Sequence, residues 1–351
     1  MSKTMQAAVY HGPNDIRIET VPYPELGPGD LIIKVLSANI CGTDLRILHG
    51  GHRLYPEGTT RIPGHEVAGE IVAVGDDVKK YQVGDRVFVA PNMGDGDSRE
   101  TISGNNNLDP NFRAIGINID GAFAEYMRIP SEAVRQGNVM PIHKDQDPAV
   151  AALIEPLACV LRGQNAVNVK SGDVVVVMGA GPIGVLHVLL AKARGASRVL
   201  VSEPAENRRL QAKKLGADRV VDPVNEDLAA AVKEISGGRG ADVVIVAAPS
   251  KPAQESALQI AAVGGRINLF GGLPKDDPTI KFDSNLVHYK ELIVTGTTAC
   301  STNDCLQAAD LVNAGVLKLT PLITGRFPLN EAVEAFRAAG DGTNLRVSLV
   351  P

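Results

Sequence analysis

The chain has 351 residues, 44% of them apolar, enough for a large core and a length that suggests two domains. A net charge of −5 gives no reason to expect nucleic acid or an anionic membrane as partner, and no apolar run reaches the ~18 residues of a membrane span. Four cysteines are too few for a disulfide scaffold and MSKTMQAAVY has no signal-peptide core, so a soluble cytoplasmic protein is expected.

The first third reads as short strands between Gly and Pro punctuation: AAVYHG, DIRIETVPYP, DLIIKVLSANI, VAGEIVAVG, GDRVFVAP and GAFAEYMRIP. This pattern predicts a β-rich, barrel-like domain. From about Val150 the pattern changes, and AVAALIEPLACVLRGQNAV has helical spacing throughout. Strand-like and helical segments then alternate from VVVVM to ELIVTGTT, which predicts a doubly wound parallel sheet. The tail from CLQAADLVNAG to LRVSLVP reads as helices and a closing strand that returns to the first domain.

Within the alternating region, Gly179-Ala-Gly181-Pro182-Ile183-Gly184 follows a fully apolar strand and opens a helix. Gly179 permits the tight turn, Gly181 lets backbone N–H groups approach a pyrophosphate, and Gly184 lets helix and strand pack closely. The helix N-terminus adds positive dipole. The next strand ends at Glu203, about twenty residues past the last glycine, where a carboxylate accepts ribose hydroxyls and repels a 2′-phosphate. NAD is therefore expected rather than NADP. Arg208 and Arg209 lie just beyond and are able to serve a phosphate; Arg208 is grouped with the cofactor-binding residues.

Three further places carry metal-ligand chemistry: Cys41 in NICGTD, His65 and Glu66 in PGHEVAGE, and Glu155 in LIEPLAC. Thiolate, imidazole and carboxylate make a zinc set with one position open, as in catalytic rather than structural sites. Each residue alone is commonplace; the combination with a dinucleotide turn is what counts.

Together GHEVAGEIVAVGDDVKKYQVGDRV, ICGTDLRILHG, DGAFAEYMRIP, IEPLACVL and VMGAGPIGVLHVLLAKARGA resemble the zinc-dependent medium-chain alcohol and polyol dehydrogenases, over essentially the whole chain. The resemblance implies a GroES-like barrel as catalytic domain over 1–155 and 296–351, and a Rossmann domain over 156–295. It implies one catalytic zinc per subunit on Cys41, His65 and an acid, either Glu66 or Glu155, and NAD as cofactor. A glutamate at position 155 points to the polyol, sugar and threonine branch, the sorbitol-dehydrogenase-like one, and the two glutamates are expected to exchange at the metal. In the family a Ser or Thr at the position of Thr43 hydrogen-bonds the reacting oxygen and starts a proton relay, which implies that role for Thr43. With Thr43, Glu66 and Glu155 as catalytic residues, the expected reaction is hydride transfer between NAD and a secondary alcohol of a polyol, sugar or cyclitol. Threonine dehydrogenase-like and sugar-phosphate dehydrogenase activities are the alternatives, with a non-enzymatic cofactor-binding protein and a zinc-free reductase as rivals of other kinds. Homodimers or homotetramers are usual in the family, and GRINLFGG and ELIVTGTT are candidate strands for extending a sheet between copies.

The chain departs from the family at two points. The four cysteines of the family's structural-zinc lobe align with Asp95, Ser98, Thr101 and Asp109, so side-chain hydrogen bonds are expected to hold the lobe without zinc. The family's frequent histidine is Arg46, and arginine is no general base at neutral pH. Arg46, His49, His52 and Arg53 make a basic cluster that reads either as a solvated loop or as a pocket wall favouring a phosphorylated or carboxylated sugar. Arg346 matches a basic position that reaches the cofactor in some relatives.

Overall fold

The computed structural model describes residues 3–351, which form two compact units. The first combines residues up to Ala158 with Cys300–Pro351; the second is Cys159–Ala299.

The first unit is built around the strand Leu31–Ile40. It pairs antiparallel with Glu66–Val74, with Tyr126–Ile129 and with the closing strand Arg346–Val350. Arg86–Val89 and then Val139–Pro141 extend the sheet on one side, and Ile323–Pro328 lies parallel to the closing strand on the other. Ile33, Val35, Val67, Ile71, Ile129 and Leu349 fill the core, with Phe123 edge-on to Phe336 at 5.5 Å. Each such side chain stabilises the fold by roughly 1.5–3 kcal/mol when fully buried. Register matters most at one end of the sheet. Asn39 stands opposite Glu66 and Ile40 opposite Val347, so Cys41, the 65–66 pair and Arg346 emerge side by side.

The second unit carries a six-stranded, wholly parallel sheet. Its spatial order is Arg219–Val221, Arg198–Ser202, Val174–Met178, Ala241–Val246, Ala261–Leu269, Ile293–Gly296. Alternation along the strands separates two cores. Val176, Met178, Leu200, Val244 and Val246 face one layer of helices, and Val175, Val177, Val199, Val243 and Ile245 the other. Burial on both faces explains why these strands read as unbroken apolar runs. Strand order reverses beside Val174–Met178, where a doubly wound sheet opens a crevice for ligand.

The helical spacing over 149–167 is realised as two helices, Pro148–Ala151 and Ile154–Ala166. Pro156 has no N–H and its ring would meet the carbonyl of Ala152, so a helix restarts with the proline in its first turn. Glu155 is thereby placed at a helix start rather than mid-helix.

The 95–109 lobe is held by a carboxylate. Asp109 Oδ2 accepts from Ser98 Oγ (2.5 Å), Thr101 Oγ1 (2.6 Å) and the Asp95 N–H (3.1 Å), while Oδ1 accepts from the Asn111 N–H (2.7 Å). Asp95 in turn accepts from Asn111 Nδ2 (3.0 Å) and the Ser98 N–H (3.0 Å). Burial pushes the Asp109 carboxyl up, but the hydroxyls of Ser98 and Thr101 and two backbone N–H groups outweigh it and hold the pKa down to about 2. A pKa depressed on folding stabilises above the unfolded value near 3.9 and stops doing so as pH falls through the folded value. Asp109→Asn should therefore cost about 1–3 kcal/mol at neutral pH. Measured by thermal melting, its deficit against wild type should shrink between pH 4 and pH 2. An equal melting temperature at pH 7 would show that the hub does not hold the lobe.

Candidate functional site

Cys41 begins the short helix Gly42–Leu48 at the end of the central strand. Asp44 Oδ2 accepts from the Cys41 N–H at 2.8 Å and so fixes the turn that presents the thiol. Asp44 is fully buried, and its other oxygen lies 3.3 Å from His65 Nδ1. With Nδ1 facing a carboxylate, Nε2 is the nitrogen left to bind a metal. Ligand atoms of Cys41, His65 and Glu66 all lie within 4.8 Å of one another.

Burial raises the Cys41 thiol, but a hydrogen bond from His65 and the charges of His65 and Arg346 lower it to about 7. Burial lowers His65, yet Asp44 and Cys41 together raise it well above the usual imidazole range. Glu66 is raised well above the carboxylate range by burial, against the opposing charge of Arg346. Arg346 Nη1 stands 3.0 Å from Glu66 Oε1 as an ion pair out of line for a hydrogen bond, and donates to the Ile40 carbonyl at 3.1 Å. Both Glu66 oxygens are buried and, among the described residues, make no hydrogen bond. A half-buried thiol, a buried imidazole and a buried carboxylate with this unmet demand fit a divalent cation of zinc's ligand preference.

The structure does not bring Glu155 into that group. Its carboxylate accepts from the Cys300 thiol at 3.8 Å, and Cys300 Sγ lies 3.6 Å from Cys305 Sγ. Glu155 is close enough to raise Glu66 by its charge. Thr43 is half-buried on the Gly42–Leu48 helix, while the helix cap is Cys41 with Asp44.

In the second unit Gly179 has φ +106° and Gly181 caps the helix Pro182–Ala193, with Pro182 in its first turn. A Cβ on Gly184 would sit 1.9 Å from the Gly179 carbonyl oxygen, whereas one on Gly181 would meet open space. The turn is thus closed on its helix side and open where a ligand's phosphates would approach; Ile183 between them is half-buried. Glu203 is buried, and its two oxygens accept from the Ala180 N–H (2.8 Å) and the Ala205 N–H (3.0 Å). Arg209 is committed to the Glu203 and Pro204 carbonyls and to Asp222. Arg208 is half-buried on the same helix.

Sequence reasoning missed the Asp44–His65 contact, the Glu66–Arg346 pair and the Cys300 thiol beside Glu155. Only the first had a local signal, an acid three residues after Cys41 at the position that closes a helix-capping box. Among the described residues no helix is long and apolar enough to cross a membrane.

Residues 27–144 match the alcohol dehydrogenase GroES-like domain and residues 182–314 the zinc-binding dehydrogenase domain. The chain is 37% identical to L-threonine 3-dehydrogenase of Thermococcus kodakarensis, across 97% of each chain. It is 33% identical to the enzyme of that name from Rhizobium rhizogenes, across 99% of each. A protein described as a zinc-binding dehydrogenase from Sinorhizobium meliloti 1021, solved with NADP, superposes with a TM-score of 0.91 at 32% identity, covering 99% of this chain and 100% of that one. The 2R,3R-butanediol dehydrogenase of Bacillus subtilis gives 0.90 at 29% identity, covering 99% of each. The GroES-like and Rossmann units, the buried donor set and the glycine turn thus have one explanation: the chain belongs to the zinc-binding medium-chain alcohol dehydrogenase family, enzymes of zinc and a nicotinamide cofactor.

Proposed function

We propose that the chain is an NAD-linked dehydrogenase of a small secondary alcohol, with zinc held by Cys41, His65 and Glu66. The observation that carries this reading is the buried donor cluster with Asp44 behind His65. The polyol, sugar or cyclitol expected from the sequence and the L-threonine named for the relatives share a secondary hydroxyl, so both stay on the substrate panel. Bound at the cluster, zinc supplies Lewis acidity that acidifies an alcohol hydroxyl, and the nicotinamide supplies a hydride acceptor. The chain's own residues do the rest. Asp44 orients His65, Arg346 offsets the charge of Glu66, and Thr43 Oγ1 takes the hydrogen bond from the substrate hydroxyl. Glu155, held by Cys300, is the reserve carboxylate that exchanges with Glu66. Asp44→Asn should weaken zinc binding by about 10–100-fold, read by competition with a chromogenic chelator; unchanged affinity would remove Asp44 from the site.

Glu203 supports NAD over NADP. Its buried carboxylate is pinned by two backbone N–H groups, and Arg209 is turned to carbonyls and Asp222. The expected kcat/KM ratio favours NAD by about tenfold or more, and Glu203→Ser should narrow it. A preference for NADP in the wild type would contradict this reading.

A homo-oligomer is supported by the sheet edge. The edge strand Ile293–Gly296 leaves Ile293 55% exposed, and nearby Tyr289 is 77% exposed. A second copy would cover such an edge. Light scattering should give a dimer or tetramer that Ile293→Asp weakens; a monomeric wild type would argue against it.

A further inference from the structure

Most arginines of the chain are engaged. Arg17, Arg128, Arg209, Arg266 and Arg326 each pair with a carboxylate. Arg46 and Arg53 differ: both are exposed, and among the described residues neither has an ion pair or a hydrogen bond from its guanidinium. No acid lies between Asp44 and Glu57, and Asp44 is spent on Cys41 and His65. In a chain of net charge −5, these are two unanswered cations on the segment that follows a metal-ligand cysteine.

Arg46 stands three residues after Thr43 on the helix Gly42–Leu48, and side chains at that spacing share a helix face. Asp44 and Ile47 occupy the buried face. The half-buried His52 comes between the two arginines in sequence, and its ring stands edge-on to Tyr55 at 6.0 Å. Tyr55 is itself fixed, donating to the Gly116 carbonyl at 3.2 Å and packed against Tyr10 at 5.2 Å. His52 Nδ1 accepts from the Leu54 N–H at 3.3 Å, which leaves the ring proton on Nε2 as a donor. Burial and then the charges of Arg46, Arg53 and His65 lower the His52 pKa, so the ring is a neutral donor.

We propose that Arg46, His52 and Arg53 form a subsite for an oxyanion, a carboxylate or phosphate carried by the alcohol substrate. Two guanidiniums suit such a group because their N–H forks match its oxygens, and the imidazole N–H adds a third donor on a fixed ring. The substitution of arginine for the family's frequent histidine at position 46 then has a meaning: it gives up a proton acceptor and gains an anion receptor. The inference rests on the secondary-alcohol reading above and narrows its substrate to a hydroxy acid, a hydroxy amino acid or a phosphorylated polyol.

The test uses the zinc-loaded enzyme with NAD and two matched pairs, L-threonine against L-threoninamide and sorbitol 6-phosphate against sorbitol. At least one charged member should exceed its neutral counterpart in kcat/KM by about tenfold or more, and the winning pair identifies carboxylate or phosphate. Arg46→Gln and Arg53→Gln should each collapse that ratio towards one, mostly through KM. Equal kcat/KM within both pairs, or a ratio unchanged in both variants, would overturn the subsite. If no member is turned over, the secondary-alcohol reading fails. The subsite is then decided by calorimetric binding of the same pairs to the enzyme loaded with zinc and NADH. Tighter binding of a charged member, lost in the variants, would uphold it, and equal binding would overturn it.

Discussion

A buried anionic donor must find a cation, and the catalytic unit is arranged around that requirement. Cys41, His65 and Glu66 are brought together by strand register, and there the buried Glu66 carboxylate without partners would otherwise be forced neutral. Arg346 supplies part of the balancing charge from the last strand of the chain. The remainder is a demand that a zinc ion, held there as proposed, would answer. The same constraint explains Asp44, an acid tolerated at complete burial because it ties the Cys41 N–H and faces His65.

The 95–109 lobe solves a related problem without metal. The four positions that the family resemblance aligns with structural-zinc cysteines carry two hydroxyls and two carboxylates here, and the arrangement is the inverse of a metal site. One anion, Asp109, sits at the centre and donors surround it. The charge that a metal would place among thiolates is replaced by a carboxylate among hydroxyls and N–H groups. The lobe keeps its length and its closure, and the catalytic donors are untouched by the exchange.

What could be read in the sequence follows distance along the chain. The glycine turn, the acid after the second strand and the C-G-T-D segment are local, and their chemistry is visible in a few residues. The parallel sheet was visible because burial on both faces leaves continuous valine-rich runs between helices. The Glu66–Arg346 pair was not, because it joins the fourth and the last strands of the first unit's sheets through register alone. Nor was the Cys300 thiol beside Glu155, which are 145 residues apart. The split of the 149–167 pattern was recoverable in principle from Pro156, but helical spacing on either side of it masked the break. Arg46 and Arg53 could be recognised as a cluster, while their lack of carboxylate partners is a property of the folded chain.

The central claim is that one site on this chain is built for zinc and the lobe is not. Elemental analysis of the purified, fully loaded protein tests it most directly. The account predicts about one zinc per chain, lost with the Cys41→Ser substitution and kept with Asp109→Asn. About two per chain would mean that the lobe still binds metal, and none, with dehydrogenase activity intact, would contradict the zinc centre altogether.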